Sequence, residues 1–445
     1  MSFFHISRRT LLKNSALGFG ALAAPALLKG FSKASAQTFD GSDLADLEGV
    51  EINLLVNSAH GKSWDFLSER FKKDTGGIAK ATAVPYTQLA QKQLLDIQSG
   101  SDQFDLFNYQ TQLTGTLVEA GGLLDITQWV EANRADLNID DLSQSAFSQG
   151  FVDGRLYGIT NVAVPDLVYY NKEIFDRLGL TPPKTWEEFT AVSAEITAKG
   201  EGRIFGSALQ LQKDATTLLM TYGNRLSGYG GRYLDENGAP VVNSDAAVAA
   251  LEELAKQLKS ALPDPLQTAW QQATSAFLEG RIALLDSWGD ISYLGNDPTQ
   301  SQVVGKFGTL PLLRGASFDG TVRPVYVNAE ALGITASSKN PTAGAAWLKW
   351  VSRRDVSIDI ATRKEGNWPL VYKEVLKSPE YRAYNTFADI TIAQVDGDSL
   401  FWPNVAGSVQ AAQALSDQIA NSLAGQIEPR AALDIAQSVW EEVHS

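Results

Sequence analysis

Residues 50–56 alternate apolar and polar positions and are rich in β-formers, so they predict a strand. Over 63–74 the period changes: Trp64, Leu67 and Phe71 fall on one helical face, and Gly76-Gly77 ends the run. Residues 81–84 and 104–107 read as further short strands, separated by a helical segment over 89–99. A strand–helix–strand rhythm of this kind builds an α/β lobe with a largely parallel sheet.

Farther along, Thr185-Trp186-Glu187-Glu188 follows Pro182-Pro183 and forms a capping box. The Thr185 hydroxyl accepts from the Glu188 amide, and the Glu188 carboxylate reaches back. Trp186, Phe189, Val192 and Ile196 stripe the helix that starts there, which Lys199-Gly200 closes, and another helix is predicted over 245–258. Asn340-Pro341 marks a further helix start, with Ala343, Ala346, Trp347, Trp350 and Val351 on the buried face and Arg353-Arg354 at its C-terminal end. Aromatic stripes at this spacing are core.

The first 36 residues break the pattern. Arg8-Arg9 precede an uncharged stretch over 15–28, and Ala34-Ser35-Ala36 supply the small residues a signal peptidase needs. The apolar run is too short to stay in a bilayer as a spanning helix. A twin-arginine signal peptide over 1–36, cleaved before Gln37, is therefore expected, with the protein in the periplasm and the twin-arginine translocase as its partner during export.

Cleavage there removes five basic residues and no acid, moving the formal charge from −14 to −19. Such an acidic chain disfavours nucleic acid and anionic membranes, whose binding rests on Lys and Arg. There is no cysteine, which excludes disulfides, zinc–thiolate sites, a thiol nucleophile and a lipid-bearing N-terminal cysteine. Only His60 and His444 remain after cleavage, so a histidine metal cage or a Ser-His-Asp triad is poorly supplied. Nothing calls for a cofactor. The remaining length exceeds one hydrophobic core, and no linker or repeat divides it, which suggests two lobes built from interleaved segments.

Three stretches carry a resemblance: Leu156-Tyr157-Gly158-Ile159-Thr160, the run from Leu167-Val168-Tyr169-Tyr170-Asn171-Lys172 through Pro182-Pro183-Lys184-Thr185-Trp186-Glu187-Glu188-Phe189, and Phe277-Leu278-Glu279-Gly280-Arg281-Ile282-Ala283 with Ser287-Trp288. Gly305-Lys306-Phe307-Gly308-Thr309-Leu310-Pro311 and Ala336-Ser337-Ser338-Lys339-Asn340-Pro341 continue it. In this order the sequence resembles the family 1 extracellular solute-binding proteins of bacterial ABC importers, of the sugar-binding, maltose-binding-protein-like type. The resemblance implies a type II periplasmic-binding-protein-like α/β fold, with two lobes around a ligand cleft and a hinge crossed three times. Crossings are expected at Gly158–Thr160, Thr309–Pro311 and Gly366–Pro369, giving lobe one as 37–158 with 309–366 and lobe two as 159–308 with 367–445. It also implies a monomeric, non-enzymatic receptor that delivers a small solute, a sugar or oligosaccharide, to importer membrane subunits.

A sugar needs flat apolar faces for its C–H surface and planar acceptors or donors for its hydroxyl pairs. Tyr109, Trp288, Trp368 and Trp402 are the aromatic candidates, because each lies outside a helical stripe and beside a segment that should end at the cleft. The family's stacking aromatics map onto Tyr109, Trp288 and Trp402. Ser58 and His60 lie between the first strand and first helix, Gln112 just beyond Tyr109, and Asp166 just past the first crossing. Lys213, Asp214 and Asn328 fall in segments that should border the opening.

Polyamines, polyols, phosphorylated polyols and iron chelates are rival ligands for the same fold. Iron calls for clustered tyrosines, but Tyr169-Tyr170 are adjacent on a strand and point to opposite faces. A phosphorylated ligand needs concentrated positive charge, and the cleft candidates offer mainly Lys62 and Lys213. Several cleft acids with aromatics would favour a polyamine. A more distant rival is an exported polysaccharide-active enzyme using two carboxylates.

Overall fold

The computed structural model describes residues 47–445 except Asp214, 327–328, 364–367, 369–370, Thr386, 396–398, Ala406 and Ser445. The expected signal segment, Asp214 and Asn328, and all of the expected third crossing but Trp368, lie outside the described residues.

Among the described residues nine strands have four residues or more. They are β1 (Glu51–Asn57), β2 (Ile78–Val84), β3 (Leu106–Gln110), β4 (Ile159–Ala163), β5 (Asp166–Asn171), β6 (Phe205–Ala208), β7 (Ile282–Trp288), β8 (Phe307–Leu310) and β9 (Ala329–Ile334). The helices that matter most are α1 (Gly61–Thr75), α2 (Trp186–Lys199), α3 (Thr217–Gly228), α4 (Asp245–Gln257), α5 (Pro341–Val351), α6 (Ser408–Leu423) and α7 (Pro429–Val443).

The first sheet runs β2-β1-β3-β9-β4, with β1 parallel to β2 and β3, and β9 antiparallel to β3 and β4. The middle of β1 is covered on both faces: Ile52, Leu54 and Val56 enter one core, and Leu55 enters another. In the first of these cores Phe71 of α1 meets Trp347 and Trp350 of α5 at ring-centroid distances of 4.8 and 5.0 Å. The Asn340 side chain caps α5 by accepting from the Ala343 amide at 3.3 Å.

The second sheet runs β8-β5-β7-β6, antiparallel at β8/β5 and β5/β7 and parallel at β7/β6. One of its faces packs on α2, α3, α4, α6 and α7 through Trp186, Leu219, Leu251, Leu415 and Trp440. The Thr185 hydroxyl accepts from the Glu188 amide at 3.1 Å, as the sequence predicts. The Glu188 carboxylate reaches one residue farther back than a capping box requires, accepting from the Lys184 amide at 2.6 Å.

The two expected crossings that fall among the described residues lie elsewhere, while the third, apart from Trp368, falls outside them. Residues 159–163 do not open the second lobe; as β4 they form an edge of the first sheet, where Ile159, Val162 and Ala163 bury in the first core. Pro165, which has no amide to give a ladder, then separates β4 from β5. Residues 309–313 stay with the second sheet, because Leu312 and Leu313, like Val325, bury against α2 and α3 in its core. Of the described residues that follow, Trp368, Val371, Tyr372, Val375, Leu376 and Tyr381 pack in the first core, Phe387 and Ile390 pack against the other face of the second sheet, and Leu400 and Trp402 join the second core. In each case apolar side chains, rather than the nearby glycine or proline, decide where the segment belongs.

Candidate functional site

The C-terminal ends of β1 and β3 and the N-terminal end of antiparallel β9 meet at one edge of the first sheet. Asn57 sits there, donating through Nδ2 to Glu330 Oε1 at 2.6 Å and through its amide to Asn108 Oδ1 at 3.1 Å. His60, in the turn before α1, places Nε2 3.7 Å from the same Glu330 oxygen. Glu330 is only 1% exposed. Burial alone would raise its carboxyl, but His60, with Asn57 and Asn108, holds it below the usual range. The His60 ring tilts over Trp368 at 5.2 Å, and Trp368 meets Trp64 edge-on at 4.7 Å.

The second sheet contributes acids and an indole. Asp166 opens β5 directly opposite Trp288, the last residue of β7, and Val168 is opposite Asp286. Directly opposed side chains share a face, so Asp166, Asp286 and Trp288 lie together. Asp286 is neutralised: Arg225 of α3 bonds both its oxygens, Asn224 Nδ2 donates to it at 3.0 Å, and Gln257 Oε1 accepts from two guanidinium nitrogens at 3.1 and 2.7 Å. The guanidinium also stacks on Trp186 at 4.1 Å.

Asp166 has no such partner. It is wholly buried, and neither carboxyl oxygen makes a hydrogen bond. Burial pushes its carboxyl well above the usual range, and Asp286 and Asp290 push the same way. Asp290, two residues past Trp288, is raised to about 7 by burial, against its own backbone hydrogen bonds and the nearby His60. His60 thus lies within electrostatic reach of Asp290, so the edge of one sheet faces the edge of the other. Trp288 is half-buried, its Nε1 has no partner, and its ring lies 6.3 Å from that of Trp270. The Tyr233 hydroxyl is also without a partner and is close enough to Asp166 to feel its charge.

Of the residues expected at the site, His60, Asp166, Trp288 and Trp368 come together. Ser58 is exposed in the turn beside His60. Gln112 lies just past β3, bonding Gln110 Oε1 at 2.8 Å through Nε2 while its own Oε1 is buried without a partner. Tyr109 is corrected to a core residue: it is 0% exposed among Leu55, Leu89, Phe107 and Leu117. A Cβ on Gly158 would come within 2.2 Å of its hydroxyl, so the ring closes against backbone there. The side chain facing Glu330 is that of its neighbour Asn108, one strand position away. Trp402 is likewise in the second core, 4.8 Å from Tyr233 and 5.2 Å from Trp440. Lys213 is on the surface, paired with Asp417 at 3.0 Å.

Sequence reasoning missed Asn57, Asn108, Tyr233, Asp286, Asp290 and Glu330. Asp286 and Asp290 flank the Ser287-Trp288 motif and were available from it; Asn57 and Glu330 are 273 residues apart and only the sheet joins them. A shallow surface concavity of about 590 Å³, lined by Leu262, Gln267, Gln271 and Arg281 among others, lies near the opposite end of β7.

Residues 57–356 match the family model described as "Bacterial extracellular solute-binding protein". The chain belongs to that family. A Sinorhizobium fredii relative named "Probable amino-acid ABC transporter periplasmic-binding protein" is 27% identical over 354 residues, 78% of each chain. The mannitol-binding protein of Pseudomonas aeruginosa is 25% identical over 387 residues, 84% of this chain and 82% of the relative. Among solved structures, an ABC transporter solute-binding protein of Agrobacterium radiobacter in complex with ribitol matches with a TM-score of 0.77 at 24% identity, covering 89% of this chain and 99% of that one. The maltose-bound MalE3 of T. maritima matches with a TM-score of 0.77 at 20% identity, covering 88% and 100%. The fold of this solute-binding protein is the type II periplasmic-binding-protein arrangement.

Proposed function

We propose that this solute-binding protein captures a sugar or polyol between lobes built on the two sheets and delivers it to the membrane subunits of an ABC importer. The observation that carries the reading is Asp166: a wholly buried carboxyl with both oxygens unpartnered, directly opposite Trp288 on the neighbouring strand. Buried polar groups are ordinarily satisfied, so an unmet pair of acceptors next to an indole suits a ligand that brings hydroxyls and a C–H face. The mannitol-binding relative and the ribitol-bound structure support this class. Among the described residues, closure would turn on the segment between Ala163 and Asp166, where the chain passes from the first sheet to the second. A ligand shifts that equilibrium only through contacts made better in the closed state.

Arg8-Arg9 and the uncharged run after them support export by the twin-arginine route to the periplasm, and the lack of any cysteine supports a receptor that carries no lipid on a cysteine. The proposed role is reversible capture, with no bond made or broken. A phosphorylated ligand is disfavoured, since Arg225 is committed to Asp286 and Lys213 to Asp417.

A thermal-shift screen of the mature protein against mannitol, ribitol, maltose and monosaccharides tests the reading. A true ligand at a hundredfold excess over its Kd stabilises by about 2.7 kcal/mol. No shift with any sugar or polyol would contradict it, as would release of reducing ends from an oligosaccharide.

A further inference from the structure

Both Asp166 oxygens, Asp290 Oδ1, Glu330 Oε2 and Gln210 Oε1 are acceptors buried without a partner, and the Trp288, Trp270 and Trp64 indole N–H groups, Asn108 Nδ2 and the Tyr233 hydroxyl are donors without one; among these residues Asp166 alone has both oxygens of a carboxyl unmet. The assignment of Gln210 is fixed by its amide, which donates to the Asp286 carbonyl at 3.0 Å and to Ser287 Oγ at 3.2 Å. A neutral polyol could fill these acceptors, but hydroxyls do not balance charge. Of the four carboxyls, Asp286 is neutralised by Arg225, and Glu330 is paired with His60. Asp166 has no basic group among the charges acting on it, only Asp286 and Asp290. A carboxylate held out of water without a counter-charge is costly, so burial favours the protonated Asp166 carboxyl, and a bound cation would favour its ionised form. A metal ion does not fit the vacancy in charge, because among the described residues no group of three or more His, Asp or Glu side chains is arranged to hold one.

We propose that the captured solute is a hydroxylated molecule bearing a protonated amine, an amino sugar or aminopolyol, whose ammonium group sits on Asp166 while its carbon face lies against Trp288. The ammonium brings three donors and the missing positive charge at once, which is what two unpartnered oxygens beside a second acid require. Asp290 adds attraction from the same side, and Glu330 and His60 take hydroxyls from the other sheet. The inference rests on the capture reading and narrows it from polyhydroxylated solutes to cationic ones.

Calorimetric titration of the mature protein with two matched pairs provides the test: D-glucamine against D-sorbitol, and D-glucosamine against D-glucose, below the amine pKa, with mannitol, ribitol and spermidine as further arms. At least one amine should bind ten-fold or more tightly than its hydroxyl counterpart. Asp166→Asn, which keeps size and shape but removes the charge, should bring that ratio close to one, the amine losing more affinity than its neutral partner. Neutral members or polyols that bind as tightly as the amines, or more so, would overturn the inference and leave the capture reading standing. Spermidine binding without either hydroxylated amine would overturn it in favour of a polyamine site. Heat from no member of the panel would remove this inference and the capture reading together.

Discussion

Three acids near Trp288 behave differently because their neighbours differ. Asp286 is neutralised by Arg225, Glu330 is held ionised by His60, Asn57 and Asn108, and Asp290 is left to burial, which raises it to about 7. Its folded value thus stands above the ordinary carboxyl value of 3.8, so the folded state binds its proton more tightly than the unfolded chain does. By linkage, this contribution to stability is complete below the unfolded value and is lost as pH rises from there to about 7. Asp290→Asn removes that loss. The variant's melting temperature should exceed that of the unmodified protein at pH 8, by the equivalent of ~1–3 kcal/mol, and the gap should close toward pH 4. A gap that widens in acid would reverse the assigned sign. From sequence, Trp288 and Asp166 were picked out separately, and the strand pairing sets them opposite one another. Tyr109 was misplaced by a single strand position, because alternation along a strand says that neighbours oppose one another but not which of them faces the opening.

At the scale of elements, local chemistry was the most legible part of the chain. The strand over 50–56, the helix behind Trp64 and the caps at Thr185 and Asn340 all depend on residues within one or two turns of each other, so a single sequence carries them. Removing the cap oxygen should show this directly. Thr185→Ala leaves the Glu188 amide unsatisfied and is expected to cost about 1 kcal/mol of stability in denaturant unfolding, without altering solute affinity, since α2 lies on the outer side of the second core. A loss well under 0.3 kcal/mol, or a change in affinity, would contradict the role given to the cap. What local chemistry could not supply was allegiance. Pairing with β9 places 159–163 in the first sheet, and burial in the core that holds Trp347 and Trp350 places 371–376 with it.

For the whole molecule, two sheets with separate cores are joined where the chain passes between them, and side chains from each also meet away from the acids. Tyr293, just past β7, stacks on Tyr384 at 5.3 Å and shares a 3.1 Å hydroxyl contact with Tyr381, which belongs to the first core. Asn385 Nδ2 donates to the Tyr293 hydroxyl at 3.3 Å. This contact frames the side of the opening that holds His60, Asp290 and Trp288, so a solute seated there would touch both sheets at once. The α/β class and the family were legible in the sequence because their motifs recur in order along it, whereas the facing of His60 and Asp290, 230 positions apart, exists only in three dimensions. The most direct test of capture at this place compares two variants with the solute that the thermal-shift screen identifies. Its affinity, measured by calorimetry, should fall at least ten-fold in Trp288→Ala and stay within two-fold in Lys213→Ala, whose side chain is committed to Asp417 on the surface. Unchanged affinity in Trp288→Ala would contradict the account.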